Sequence, residues 1–336
     1  MTIFVETQTQ ASGGYTPEMQ AEVDRLAQVV TVAVDFSRAP DDEARKIDQS
    51  IRAVWNVDQP DVASVRYLEI PVHGSLDAVA CQAVVYTPAE AGDGVIFFVH
   101  GGGWTFGSLG SHERLMRVLC NEARQTVIGV HYRLAPQNPY PAALNDVVSA
   151  LRAVTSSPGA FGLPEGPVVI GGDSAGANLC LAAMLHEIDA GEKLPAGALL
   201  FYGVFGRDFE TPSYKAYAEG HGLTESIMRQ LWQWYAPSEA THSDPLAVPL
   251  LATDEQLRAL PPLFLVAAEM DPLASDTLNL KDRLDTLGRP DRLWFEPGVI
   301  HGFLEMTAFL EAARRSARRA SDAANTFMAA ASRSQG

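Results

Sequence analysis

Ser174 lies in the segment VIGGDSAGANLC, residues 169–180, between Gly172 and Gly176. An apolar run that predicts a strand precedes it, and a helix-like stretch follows it. At the tip of such a strand–turn–helix elbow, a serine is held in a strained conformation with its Oγ exposed. Residues two positions away on either side approach each other closely, so they must be small. Both are glycines here, and this context, more than the pattern itself, predicts a serine nucleophile.

A nucleophilic serine needs a base to take its proton and an acid to orient that base. His301 follows the last predicted strand in WFEPGVIHGF, and it satisfies the chain order Ser…Asp…His that accompanies such an elbow. The acid should end the preceding strand, where LFLVAAEMDPL places Asp271 directly before a proline. Asp276 and Glu269 are the rival acids. We expect Asp276 to lie in the following helix and therefore to point elsewhere.

A second glycine cluster, HGGGWTFG at residues 100–107, follows a predicted buried strand. Its backbone N–H groups can turn toward one point and, with the amide of Ala175, can stabilise an oxyanion. The alternative is a phosphate cradle, but the spacing fits neither G-x-G-x-x-G nor a P-loop. Trp104 and Phe106 come next, and we expect them to bind substrate by narrowing the acyl side of the site.

Alternating strands and helices predict the scaffold that positions these residues. VASVRYLEI and AVACQAVVYT predict an antiparallel pair near the start of the alternation. Further strands are predicted, with helical stretches between them, at 94–100, 126–132, 167–172, 196–203, 261–269 and 292–296. This order is typical of an α/β fold with a mostly parallel central sheet flanked by helices.

Two segments fall outside that alternation. Residues 1–55 contain two predicted helices, which begin after Thr16 and Asp41 as N-caps. Residues 205–240 are rich in aromatic side chains and interrupt the strands. We expect both to form a helical cap over one end of the sheet, with 56–204 and 241–336 as the core. The alternative for 205–240 is a surface insertion that packs on itself.

The composition restricts the partners and the cellular compartment. The net charge of −16 disfavours nucleic acid and anionic membranes as partners but says little about the substrate, which we expect to be a small molecule. No apolar run approaches the roughly 20 residues of a membrane span. The N-terminal segment lacks the basic start of a signal peptide. The three scattered cysteines predict buried free thiols, so we expect a cytoplasmic protein, and the sequence leaves a homodimer open.

These motifs together resemble those of the hormone-sensitive-lipase-like family of α/β-hydrolases, also called the bacterial family IV esterases. The resemblance runs from about residue 80 to 310 and rests on HGGGW at 100–104, HYRLAPQNPYPAAL at 131–144, GDSAG at 172–176, DPL at 271–273 and HGF at 301–303. LFYG at 200–203, AAEMDPL at 267–273 and HERLMRVL at 112–119 look more narrowly like bacterial acetyl esterases. Gln137 stands where the family usually has glutamate.

The resemblance implies a carboxylic-ester hydrolase that favours short acyl groups and uses no metal or organic cofactor. It implies Ser174, Asp271 and His301 as the catalytic triad. It also assigns the oxyanion hole to the amides of Gly102, Gly103 and Ala175. An amidase or thioesterase with the same triad is an alternative, and a ligand-binding protein without catalysis is a further one, which the presence of all three triad residues disfavours.

Overall fold

Eight strands form one sheet in the computed structural model, which describes residues 14–334. The order across the sheet is β1-β2-β4-β3-β5-β6-β7-β8, in which β2 is antiparallel to β1 and β4 and the other neighbours are parallel. The strands are β1 Ser64–Ile70, β2 Cys81–Thr87, β3 Val95–Val99, β4 Thr126–His131, β5 Val168–Asp173, β6 Gly197–Phe201, β7 Leu263–Met270 and β8 Arg292–Ile300. The predicted α/β fold is therefore confirmed.

Helices cover both faces of this sheet. Every residue of β3, β5 and β6 is buried, and because side chains alternate between faces, both faces must be covered. Helices α3 and α10 pack together, as do α4 and α5. The helices are α1 Pro17–Val29, α2 Asp42–Arg52, α3 Glu113–Ala123, α4 Ala142–Ser156, α5 Ala175–Ala190, α6 Pro212–Tyr217, α7 Glu225–Tyr235, α8 Asp254–Ala259, α9 Ala274–Thr286 and α10 Glu311–Ser334.

The two segments predicted to form a cap contact each other. Helices α1 and α2 belong to the first segment and α6 and α7 to the second. The Tyr15 hydroxyl lies 2.9 Å from Nδ1 of His221, and the ring of Phe36 stacks on Trp234 at a centroid distance of 6.1 Å. Residues 1–13 of the first segment lie outside the described residues. A cap role for both segments stays a prediction.

Strand β8 continues past the predicted end at residue 296. It runs through Pro297 and Gly298 to Ile300. Proline is tolerated because β8 is an edge strand, where a missing N–H need not break the ladder. Gly298 adopts a φ of +64°, and the register against β7 shifts nearby. The longer strand carries the chain to His301 at the same edge of the sheet as the end of β7.

The cysteines are buried free thiols, as the sequence predicts. Burial raises the pKa of both Cys81 and Cys120 to about 12, so neither thiol is a nucleophile near neutral pH. Within residues 14–334, no helix combines the length and the apolar character that a bilayer crossing requires.

Candidate active site

Ser174 occupies a strained turn between β5 and α5. Its φ of +54° and ψ of −119° are rare for a residue with a side chain. A Cβ atom on Gly176 would lie 2.1 Å from the Val99 carbonyl oxygen, and one on Gly172 would lie 2.7 Å from the Gly176 carbonyl carbon. Both positions therefore require glycine for the close approach of backbone that the elbow pattern indicated.

The structure brings together the three residues predicted to form a triad. His301 Nε2 lies 2.9 Å from Ser174 Oγ, and His301 Nδ1 lies 2.6 Å from Asp271 Oδ2. The other oxygen of Asp271 accepts a hydrogen bond of 2.8 Å from the Leu273 amide, which fixes the carboxylate. Because this carboxylate accepts the Nδ1 proton, Nε2 carries a free lone pair toward the serine hydroxyl.

Neither rival acid contacts His301. Asp276 lies in α9 and accepts hydrogen bonds from the amides of Phe205 and Gly206, at 3.0 and 2.7 Å. Burial raises the pKa of Asp276 to about 7. Glu269 accepts a 2.7 Å bond from the Gly298 amide in β8. Asp276 thus holds the start of the 205–240 segment against the core, and Glu269 holds the bend in the edge strand.

The proposed oxyanion donors are buried amides. Gly102 and Gly103 adopt φ values of +120° and +59° in the loop after β3. Ala175 is the first residue of α5, where an amide has no partner within its own helix. Among the described residues, none of these three N–H groups donates a hydrogen bond. Buried amides without an acceptor are rare, and here they leave donors for an oxygen that develops negative charge.

Trp104 and Phe106 pack against the segments predicted to form a cap. Trp104 is fully buried, stacks on Tyr235 at 4.2 Å between ring centroids, and donates from Nε1 to Asn178 at 3.3 Å. The ring of Phe106 lies 5.6 Å from Phe36 and also contacts α7. The two side chains therefore join the loop after β3 to both predicted cap segments. Their contact with substrate stays a prediction.

Behind the glycine loop lies a buried ionic cluster that the sequence did not reveal, formed by Arg52, Asp48, Glu305, His112 and Asp173. Arg52 Nη1 donates to both oxygens of Glu305, at 2.7 and 2.8 Å, and its Nε contacts Asp48. His112 Nε2 lies 3.2 Å from Asp173 Oδ1. Every member is at least 95% buried, since none has more than 5% of its surface exposed.

The ionic cluster anchors the loop that carries two of the proposed oxyanion donors. Asp173 Oδ1 accepts a 2.8 Å hydrogen bond from the Gly101 amide. Burial by itself would raise the pKa of Asp173, but His112 and Arg52 lower it, so the carboxylate stays ionised. Burial would likewise lower the pKa of His112, and Asp173 and Glu305 raise it instead. Asp173 belongs to the GDSAG motif, so the sequence could have indicated its importance. Arg52 and Glu305 are 253 positions apart, and nothing in the sequence indicated that they form an ion pair.

His112, Asp173 and Glu305 also have the spacing of a possible metal site. Their ligand atoms lie within 4.8 Å of one another. However, Arg52 contacts both Glu305 oxygens, and the Gly101 amide occupies Asp173 Oδ1. The protein thus supplies the positive charge itself, and the donor set fits an ion-pair network better than a metal site.

A mostly parallel sheet with a serine elbow after a central strand and a histidine after the last strand defines the class of α/β-hydrolases. A family model described as "alpha/beta hydrolase fold" matches residues 96–305. The chain belongs to this family, in its hormone-sensitive-lipase-like branch, as the sequence motifs predicted.

Solved structures of esterases share the fold over almost the whole chain. An ester hydrolase from the metagenome of Lake Arreo, complexed with a derivative of bipyridine phosphonate, is 30% identical, with a TM-score of 0.84 over 93% of this chain and 98% of that one. A thermostable esterase from Pseudomonas putida ECU1011 is 26% identical, with a TM-score of 0.85 over 95% and 99%. An esterase from Pyrobaculum calidifontis is 26% identical, with a TM-score of 0.82 over 93% and 98%.

Proposed function

We propose that this protein hydrolyses short-chain carboxylic esters, such as acetyl esters, through an acyl-enzyme on Ser174. The observation that carries the proposal is the hydrogen-bonded series from Ser174 Oγ through His301 to Asp271, at 2.9 and 2.6 Å. Membership of the family and its esterase neighbours make the chain a serine esterase. The steps, the roles of individual residues and the acyl preference are our proposal.

In the first half of the reaction, Ser174 Oγ attacks the ester carbonyl carbon while His301 Nε2 takes the hydroxyl proton. The carbonyl π electrons move to oxygen, and the oxyanion accepts hydrogen bonds from the amides of Gly102, Gly103 and Ala175. Asp271 stabilises the resulting imidazolium. The C–O bond to the alcohol then breaks, and His301 returns its proton to the leaving alkoxide.

In the second half, water replaces the alcohol. His301 takes a proton from water, the hydroxide attacks the acyl carbon, and the same amides hold the second oxyanion. The bond to Ser174 Oγ breaks, the serine regains its proton from His301, and the carboxylic acid leaves. No step needs a metal ion or an organic cofactor.

Electrostatics support these roles. Asp271 and His301 are at most 1% exposed and Ser174 is 7% exposed, so charges at the site are weakly screened. The amide of Ala175 is the N-terminus of the sixteen-residue helix α5, whose dipole favours negative charge there. In a serine protease, removing one oxyanion-hole donor lowers kcat by about 10²–10³-fold.

The preference for short acyl groups rests on the buried aromatic side chains beside the glycine loop. Trp104 packs against both Tyr235 and Trp232, with centroid distances of 4.2 and 4.8 Å, and those two rings are 6.0 Å apart. A fixed wall of this kind leaves long chains no place to bury their CH₂ groups, each of which would contribute about 0.8 kcal/mol. We therefore expect kcat/KM to fall beyond about eight acyl carbons.

A panel of p-nitrophenyl esters from acetate to palmitate tests the proposal, with a matched anilide and thioester of the preferred acyl group. We expect the highest kcat/KM at short acyl chains, and its loss in Ser174→Ala but not in Ser50→Ala, an exposed serine on α2. Faster turnover of the anilide or thioester would make the protein an amidase or thioesterase. A maximum at long chains, or ligand binding without turnover, would contradict the proposal.

A further inference from the structure

A pocket of about 350 Å³, outside the candidate active site, lies where helix α2 meets the segment that follows β4. We call it the junction pocket. Two guanidinium groups, one imidazole and three amides line it: Arg45, Arg133, His131, Gln82, Gln137 and Asn138. No carboxylate is among its lining residues within the described part of the chain. In a protein with 41 acidic and 25 basic residues, such a lining is a marked local excess of positive charge.

Arg45 carries the charge that this pocket leaves uncompensated. Arg133 is neutralised by Asp146, with its Nη2 at 2.9 Å from a buried carboxylate oxygen. Two carboxylates at the start of α2, those of Asp42 and Asp41, attract the Arg45 guanidinium, but neither lines the pocket; Asp42 Oδ1 lies 3.9 Å from Arg45 Nη1, and its side chain is 96% exposed. An exposed carboxylate at that distance contributes little. The Arg45 side chain is itself only 21% exposed, so its charge is poorly solvated.

The hydrogen bonds of Arg45 fix the guanidinium through Nε and Nη2, and the third nitrogen, Nη1, faces the exposed Asp42 carboxylate at 3.9 Å. Nε donates to the Thr105 carbonyl and Nη2 to the Ala135 carbonyl, both at 3.3 Å, and Nη2 also contacts Gln137 Oε1. Among residues 14–334, Nη1 has no hydrogen-bond acceptor. An immobilised guanidinium with free N–H groups loses little side-chain entropy on binding an anion.

His131 lines the junction pocket together with Arg45. Burial, and after it the charge of Arg45, lower the pKa of His131, while the Asp146 carboxylate acts in the opposite direction. Its Nδ1 lies 2.9 Å from Nε2 of His100, the residue before the glycine loop. The ring therefore lies both in the junction pocket and next to the loop, and its resonances can report binding.

We propose that the junction pocket binds a small oxyanion, the carboxylate or phosphate group of an organic molecule, with Arg45 as its charged partner. Guanidinium groups match the oxygen geometry of both anions and form charge-assisted hydrogen bonds with them. A pocket of about 350 Å³ is within the size range of small-molecule sites and leaves room for an organic group beside the anion. The bound anion would link α2 to the core.

The test is titration calorimetry with acetate, inorganic phosphate and methyl phosphate in separate arms, with chloride at matched ionic strength as the reference. In parallel, the His131 ring resonances are followed by NMR. We expect saturable binding of one oxyanion per chain and a rise in Tm, because the ligand binds only the folded protein. The arm with the lowest Kd distinguishes a carboxylate from a phosphate ligand.

Two variants locate the site. Val79 lines the pocket and is 43% exposed, so Val79→Glu adds a carboxylate without a packing change, and Val79→Gln is the neutral control of equal size. We expect Val79→Glu to weaken oxyanion binding at least tenfold and Val79→Gln to leave it within about twofold. Gln137→Glu, which presents a carboxylate to Arg45, should abolish binding. The absence of saturable binding in the wild type, or equal affinity in Val79→Glu and Val79→Gln, would overturn the proposal.

Discussion

Replacing Asp271 by asparagine tests the orientation of His301 with almost no change in shape. The asparagine Oδ1 can still accept the hydrogen bond from the Leu273 amide that the aspartate accepts at 2.8 Å. Its Nδ2 then faces His301 Nδ1, where the carboxylate oxygen lies at 2.6 Å. Because an amide nitrogen only donates, Nδ1 must become the acceptor and the ring proton moves to Nε2. That nitrogen can then no longer take the proton of Ser174.

The size of the effect follows from the loss of that tautomer and of the negative charge beside the imidazolium. The corresponding change in a serine protease triad lowers kcat by about 10⁴-fold. That factor equals about 5 kcal/mol of transition-state stabilisation. KM should change much less, because the acid does not touch the substrate. Folding should persist, since the buried site keeps its volume and one of its hydrogen bonds.

Asp276→Asn is the matched control, with the same substitution in an equally buried residue five positions later. Its two hydrogen bonds come from the Phe205 and Gly206 amides to one oxygen, which the asparagine Oδ1 can replace. We expect steady-state kinetics on p-nitrophenyl acetate to show a drop of several orders of magnitude for Asp271→Asn and near wild-type kcat for Asp276→Asn. The reverse order, or similar losses in both, would refute the assignment of the acid.

Three further predictions follow from the geometry. Gly103→Ala should lower kcat by about 10²-fold, because its Cβ would lie 2.5 Å from a methyl group of Leu231 in α7 and would displace the glycine loop, which carries two of the proposed oxyanion donors. Gly191→Ala, at a similar φ of +67° with open space around it, should leave kcat unchanged, and equal kcat values for the two variants would contradict the prediction. Trp104→Ala should raise the ratio of kcat/KM for p-nitrophenyl octanoate to that for p-nitrophenyl acetate. An unchanged ratio would show that Trp104 does not line the acyl-binding part of the site. In the folded protein the pKa of Asp276 is raised from 3.8 to about 7, so this carboxyl ionises at a lower pH in the unfolded chain than in the folded one. The stability linked to Asp276 is therefore lost as the pH rises between those two values. The Tm of Asp276→Asn relative to wild type should therefore increase over that range and then level off, whereas a constant difference would show that Asp276 does not titrate there.

The sequence predicted the sheet and the meeting of the triad residues because both depend on local patterns. Each triad residue comes shortly after a predicted strand, and the carboxyl ends of parallel strands meet at one edge of a sheet. Ser174, Asp271 and His301 could therefore be placed together without knowing any side-chain contact. The choice between Asp271 and Asp276 also followed from local structure, since one ends a strand and the other begins a helix.

The ionic cluster and the junction pocket could not be predicted in this way. Arg52 meets Glu305 across 253 positions, and Arg45 meets Gln137 across 92, so no spacing along the chain indicates either contact. Charged residues on an amphipathic helix such as α2 are ordinarily solvated, and only tertiary packing buries Arg52. The extension of β8 through Pro297 was missed for a similar reason, because proline reads as a strand end unless the strand is known to be an edge.

The proposed function requires that Ser174 becomes acylated during turnover, and rapid acid quench followed by peptide mass spectrometry measures this directly. After brief mixing with p-nitrophenyl acetate, we expect one acetyl group per chain, located on the peptide that contains Ser174. The acetyl group should accumulate in step with the burst of p-nitrophenol and be absent from Ser174→Ala. An acetyl group that forms at the rate of turnover on another residue, or turnover with Ser174 unmodified throughout the burst, would show that Ser174 is not the nucleophile.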